Sequence, residues 1–265
     1  MIVRYSSQKY DKNMKYKIWW IVAAIILVSA LVFAEVIQRG QYCKSVIVNL
    51  DPDAEFQFFD EKEIKKLLTA NGSEHFEGSL LKDLDLNSLE NRVLKNRLIK
   101  SCQIIKDLSG NLLVNIKQQR PVARLIDASE NEEFINILGR YLTDRGEVVP
   151  ISGKFTARTL LISGNFFRDL KNIQTDKGKK LIELLNNIDK KPFLKAQITE
   201  LKVEEDGEIM MLPQVGNYQI EFGLPEEIEA KFKKINIFYK TILPEKGWEK
   251  YHRVSVKFRN QIVCE

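Results

Sequence analysis

The stretch 101-SCQIIKDLSGNLLVNIKQQRPVARL-125 decides the fold. Ser101 to Lys106 and Leu112 to Lys117 are β-prone runs, and the residues between them, Asp107-Leu108-Ser109-Gly110-Asn111, have the length and composition of a hairpin loop. Pro121 then interrupts the ladder at a strand end, because its nitrogen has no hydrogen to donate.

Towards the amino terminus, two helix signatures precede the hairpin. Asp60 with Glu63 three positions later forms a capping box ahead of Ile64, Leu67 and Leu68, and Asn71-Gly72 stops the helix. Asn87 and Glu90 repeat the signature ahead of Val93, Leu94 and Leu98. Before both, Ser45 to Leu50 is rich in β-branched residues, and Asp51-Pro52-Asp53 closes it as a turn. The order is therefore strand, helix, helix, strand, strand.

Further out lies an apolar run. Ile18 to Ala34 holds seventeen residues without a charge, at the short end of what a membrane helix requires. Val32-Phe33-Ala34 also fits a signal-peptidase site, so a cleaved secretion signal is the alternative. Two features favour retention: the run is long for a signal, and Trp19 and Trp20 sit where indoles prefer the water interface. Arg4, Lys9, Lys12, Lys15 and Lys17 precede the run against Asp11 alone, which places the amino terminus in the cytoplasm and the bulk of the chain outside. The expectation is a single-pass protein of the cytoplasmic (inner) membrane, with a tail over 1–17 and a transmembrane helix over 18–37. That tail supplies most of the net charge of +5, so the basic balance speaks for topology and anionic lipid rather than nucleic acid.

Downstream, the chain alternates short apolar strands with two amphipathic helices, as an antiparallel sheet carrying helices would. Strands are expected at Phe134–Leu138, Thr159–Ser163, Ala196–Val203, Glu208–Leu212 and Tyr218–Phe222. Leu181, Leu184, Leu185 and Ile188 give one helical stripe within Thr175 to Ile188, whose first turn Gly178 is expected to weaken. Ile228, Phe232, Ile235, Tyr239 and Ile242 give another, with Pro225 near its start and Pro244 beyond its end.

The βααββ order after a membrane anchor resembles a POTRA domain. The segments "VNIKQQRPVARL" (Val114 to Leu125) and "YLTDRGEVVPI" (Tyr141 to Ile151) resemble the FtsQ/DivIB family of bacterial cell-division proteins. That family carries a strand ending in Glu-Arg-x-Pro-x-Ala, then a Tyr-x-x-Asp-x-x-Gly-like hairpin. Pro121 and Ala123 match the first motif, and Tyr141, Asp144 and Gly146 nearly match the second; Gln118 stands where the family often has an acid. The resemblance implies an α+β chain: an N-terminal transmembrane helix, a POTRA-like βααββ domain at 44–120, and a mostly antiparallel β-sheet domain with flanking helices at 121–265.

Signs of catalysis are few. His75 and His252 are the only histidines and have no metal-ligand spacing around them, and Gly139, Gly146 and Gly153 make no phosphate loop. Cys102 lies in an expected strand with no histidine near in sequence, and Cys43, Cys102 and Cys264 are no disulfide framework, although Cys43 and Cys102 leave one bridge open. No catalytic residue, cofactor, metal site or small-molecule substrate is expected. The alternative is an anchored glycan hydrolase, for which Asp127, Glu130, Glu132 and Glu133 are the carboxylates, clustered in one loop rather than on facing elements. A transport-type POTRA protein is disfavoured, since no barrel-length series of alternating strands follows.

The chain closes with "HRVSVKFRNQIVCE". Val254, Val256 and Phe258 alternate with Arg253, Ser255 and Lys257, so a half-buried strand is expected, running to the terminus with no return segment. A final strand can lie between neighbours or at an edge, and an edge strand leaves N–H and C=O groups open to a partner's strand. Ser255-Val256-Lys257-Phe258 resembles the family's Asp-hydrophobic-Arg-Tyr segment, which receives partner strands. The resemblance implies partner-binding roles for Ser255, Lys257, Phe258, Arg259, Asn260 and Ile262, and coiled-coil partners of the FtsB and FtsL type.

Overall fold

The computed structural model describes residues 17, 19–30, 32, 40–52, 54–126 and 139–265. Residues 19–30 are helical, and each of their side chains is exposed. Among the described residues no helix is long and apolar enough to cross a membrane; positions 18, 31 and 33–37 of the expected span lie outside them. The described residues fall into two compact units, one within 1–51, 59–95 and 101–116, the other within 52–58, 96–100 and 117–265.

In the first unit, β1 (Ser45–Leu50), α1 (Glu61–Leu68), α2 (Leu86–Leu94), β2 (Ile99–Lys106) and β3 (Asn111–Gln118) follow the expected order. Their sheet runs β1-β3-β2, with β1 parallel to β3 from Ser45↔Asn111 to Leu50↔Ile116. The capping box at α1 is complete: Glu63 N–H donates to Asp60 Oδ1 at 2.8 Å, and Asp60 N–H donates to Glu63 Oε2 at 3.0 Å. At α2 the expectation fails. The cap is Asp85, whose Oδ1 accepts from Ser88 N–H at 3.2 Å, and Asn87 lies inside the helix. Glu90, freed from capping, accepts instead from the Ile104 N–H of β2 at 2.6 Å. Because β2 ends the sheet, this carboxylate occupies a donor that an incoming strand would use. Leu98 is buried but stands beyond the helix. Cys43 and Cys102 are free thiols, both buried.

The second unit is built on a sheet in the order β12-β11-β10-β9-β8-β7-β4-β5-β6. The strands are β4 (Pro121–Leu125), β5 (Arg140–Thr143), β6 (Val148–Val149), β7 (Leu160–Ser163), β8 (Ile198–Val203), β9 (Ile209–Pro213), β10 (Gln219–Gly223), β11 (Arg253–Ser255) and β12 (Val263–Cys264). The helices are α3 (Asp176–Asp189), α4 (Pro192–Gln197), α5 (Ile228–Ile237) and α6 (Leu243–Lys246). The sheet is mixed: β4/β7, β7/β8 and β10/β11 are parallel, whereas β4/β5, β5/β6, β8/β9, β9/β10 and β11/β12 are antiparallel. Residues 134–138, where a strand was expected, lie outside the described residues. Ala196 and Gln197 belong to α4 rather than to a strand.

The two helical stripes meet the sheet in one core. Leu181, Leu184, Leu185 and Ile188 of α3 and Phe232 and Ile235 of α5 cluster with Ala123, Ile162, Leu201, Met211, Ile220 and Val254 from the strands. Gly178 has a packing role in α3 that the sequence did not show. A Cβ there would lie 2.3 Å from the Ile173 carbonyl oxygen and 2.4 Å from that of Asn172, so only glycine lets the helix press on the turn before it. Pro244 does not lie beyond its helix: α5 continues through a π turn at Phe238–Ile242 into α6, which contains it. In that turn Leu243 N–H reaches back to Phe238 O, the wider spacing that absorbs a proline without a clash in the preceding turn.

The family-like motifs sit where the unit begins. Pro121 starts β4 opposite Thr143, and the register shifts between Pro121 and Ala123. Tyr141 is fully buried, and its hydroxyl accepts from Ala157 N–H at 2.8 Å. Gly146 turns the β5–β6 hairpin at φ +80°, with Thr143 Oγ1 accepting from Glu147 N–H at 3.1 Å. Gln118 is buried, and its Oε1 accepts from Phe58 N–H at 2.6 Å. An ionised acid there would carry a charge into the same buried position.

Candidate interaction edge at the C-terminus

The closing segment is a hairpin, not a single strand. β11 lies between β10, which it meets in parallel through Gln219↔Arg253 and Glu221↔Ser255, and β12, which it meets antiparallel through Val254↔Cys264 and Ser255↔Val263. Both flanks of β11 are therefore taken, and the expectation of a terminal strand without a return is overturned. The free edge has moved outward to β12, which ends the sheet among the described residues.

The hydrogen-bond pattern identifies which groups that edge offers. Arg253 N–H donates to Glu265 O at 3.0 Å and Glu265 N–H donates to Arg253 O at 2.8 Å, which makes this a hydrogen-bonded antiparallel pair. Val254 and Cys264 are then the non-bonded pair, so the N–H and C=O of Cys264 point away from β11. By alternation Ile262 faces outward with Cys264, while Val263 and Glu265 face inward. The open edge is short.

The six residues expected to bind partners distribute unevenly. Ser255 is 1% exposed and paired on both sides, so its side chain is out of a partner's reach. Lys257 is half-buried, its ammonium 5.5 Å from the Phe258 ring centroid and 3.9 Å from Glu221 Oε2. Phe258 is 42% exposed and is not on the buried face with Val254 and Val256, because the strand ends at Ser255 and the chain turns after it. Arg259 and Asn260 form the exposed turn, in which Asn260 holds φ +58°, a conformation asparagine tolerates better than most. Ile262 packs partly on the core. Lys257 to Ile262 thus make the loop and rim of the edge.

Sequence reasoning missed three supports. Lys234 on α5 donates to Val256 O and to Phe258 O, the latter at 2.7 Å, and pins the loop to the helix. Burial pushes its ammonium below the usual lysine range. Arg253 bridges Glu221 Oε1 at 3.1 Å and Glu265 Oε2 at 3.7 Å, linking all three strands of this edge. Cys264, whose burial pushes its thiol up, contributes the outward backbone groups.

Among the described residues, other candidates for chemistry do not converge. Among the described residues no three of His, Cys, Asp and Glu stand close enough to hold a metal ion, and both His75 and His252 are exposed. Asp127, Glu130, Glu132 and Glu133 lie outside the described residues.

A model of the POTRA-like domain matches residues 41–117, and a family model described as FtsQ/DivIB, C-terminal related, matches residues 120–265. No curated protein matches the chain. The second model spans more than half of the sequence, over the strands, motifs and closing hairpin just described, and the chain belongs to the FtsQ/DivIB family of bacterial cell-division proteins.

Proposed function

We propose that this protein is a non-catalytic scaffold of the bacterial division complex, tethered to the cytoplasmic membrane by residues 18–37, and that it docks partners by strand addition on β12. Family membership carries the division-scaffold role. The outward N–H and C=O of Cys264 on an end strand carry the docking reading. By resemblance, the partners are coiled-coil proteins of the FtsB and FtsL type, and the POTRA-like domain offers a second contact. The tether is supported by the apolar helix 19–30, whose Ile25, Ile26 and Leu27 are all about two-thirds exposed and need lipid or protein around them.

Each outward backbone bond is worth a net ~0.5 to 1.5 kcal/mol, so the short ladder supplies register more than affinity. Phe258, an exposed aromatic with apolar area to bury, and the lysine beside it supply the remainder. The test is co-purification of the full-length chain with the coiled-coil partners. Phe258→Ala and Lys257→Glu should each reduce recovery while the far-UV circular dichroism stays that of the parent; undiminished recovery in both would exclude the edge. Fractionation with protease protection checks the tether, which requires a full-length membrane-bound product with its larger part outside.

A further inference from the structure

A cavity of about 580 Å³ opens in the second unit, against β4, the first residues of β7 and β8 and the end of α3. Arg124, Arg158, Thr159, Asp189 and Lys195 line it beside apolar Val122, Leu160 and Ile188. Two of the charged groups cancel. Asp189, with its side chain 10% exposed, binds Lys195 Nζ at 2.8 Å and also pairs with Arg120. Lys195 reaches Glu55 as well, at 2.7 Å. The arginines are left uncompensated. Among the described residues neither Arg124 nor Arg158 has a carboxylate partner, and the Nε–H of Arg124 is buried with nothing to accept it.

Thr159 presents a second buried polar atom without a partner, its Oγ1. Arg124 is in register with Leu161, and Thr159 lies just before β7 begins, so β4 and the entry to β7 bring both residues to the cavity lining. A guanidinium stays charged at any ordinary pH, and leaving its N–H buried and unmet is unfavourable. One acceptor-rich group in the cavity would answer both orphaned donors.

We infer that this cavity binds a small ligand carrying an oxyanion, a phosphate or carboxylate, held by Arg124, Arg158 and Thr159 with its body against the apolar wall. A planar guanidinium meets such an oxyanion through paired N–H donors. The cavity is several times larger than the anion alone, so the ligand has a body the size of a sugar or a short peptide. The sequence reading held no small-molecule ligand, because Arg124 lies in a strand and the partners in its register come from distant positions. The site is separate from β12 and does not rest on the docking reading.

The experiment is thermal unfolding of the full chain in neutral detergent at constant ionic strength, with inorganic phosphate or glucose 1-phosphate replacing chloride. The expected result is a saturable rise in Tm, with half-saturation roughly tenfold lower for the sugar phosphate because its body fills the cavity. Arg124→Gln should abolish the rise. Arg158→Gln, an exposed change that leaves the fold intact, should weaken it several-fold, and exposed Arg145→Gln should leave it unchanged. Phosphatidylglycerol vesicles, compared with neutral ones, assign the anion to a lipid headgroup if they saturate the site before the soluble phosphate does. A rise that does not saturate, or one that persists in both Arg124→Gln and Arg158→Gln, overturns the inference. Co-purification of coiled-coil partners by Arg124→Gln is expected to equal the parent, which separates this site from the docking edge.

Discussion

Two adjacent residues at the end of the chain have opposite backbone duties. The N–H of Val263 points towards β11 and that of Cys264 points away from it. Proline removes an N–H and is accepted on an edge strand where that N–H faces outward. Cys264→Pro should therefore keep the parent's Tm within a degree or two yet reduce partner recovery. Val263→Pro should lower Tm by several degrees, since it breaks a ladder bond; equal effects at the two positions would contradict the assigned register. Lys234→Met removes two donations to the loop, at a cost of about 1 to 3 kcal/mol measured by urea unfolding, and loosens Phe258 enough to weaken binding. In the first unit, hydrogen bonds from the Arg92 guanidinium hold Glu74 below the usual glutamate range. A depressed carboxylate stabilises the fold above its unfolded pKa and loses that contribution as pH falls through the folded value. The stability of this unit should thus decline in acid below the ordinary glutamate value, 4.5, and Glu74→Gln should flatten that decline in unfolding curves taken across pH.

At the scale of elements, the legible parts were those whose signals are local. The Asp60–Glu63 box, the Asp107–Asn111 hairpin and the stripes of α3 and α5 each depend on residues a few positions apart, and each formed where expected. The closing hairpin was not legible, because β11 and β12 are too short to show a period and their turn has Asn260 in place of a glycine. The Asn87 cap failed because Asp85, two residues earlier, competes for the same helix start. Glu90 is the informative consequence: Glu90→Ala should cost about 1 to 3 kcal/mol by leaving the Ile104 N–H without its acceptor, and should open the β2 edge. Gly178→Ala tests the tight approach under α3. A loss of at least about 3 kcal/mol in urea unfolding is expected, because the atoms in the way are backbone carbonyls that cannot swing aside.

For the whole molecule, the α+β class and the βααββ order could be read from the chain, while the sheet order could not. The parallel pairing of β7 with β8 is set by where α3 and α4 return the chain, that of β4 with β7 by a connection that passes through β5 and β6, and no local pattern records either. The same nonlocality hid the cavity at Arg124. What remains from sequence to function is a division-family chain whose last strand leaves the outward groups of Ile262 and Cys264 open beside an exposed Phe258. Amide hydrogen exchange of the full-length chain, resolved at the final residues with and without the coiled-coil partners, tests this most directly. The account predicts that Val263 and Glu265 are protected already in the free chain, and that Ile262 and Cys264 gain protection only when a partner binds. Unchanged exchange at Ile262 and Cys264 in the bound state would contradict it.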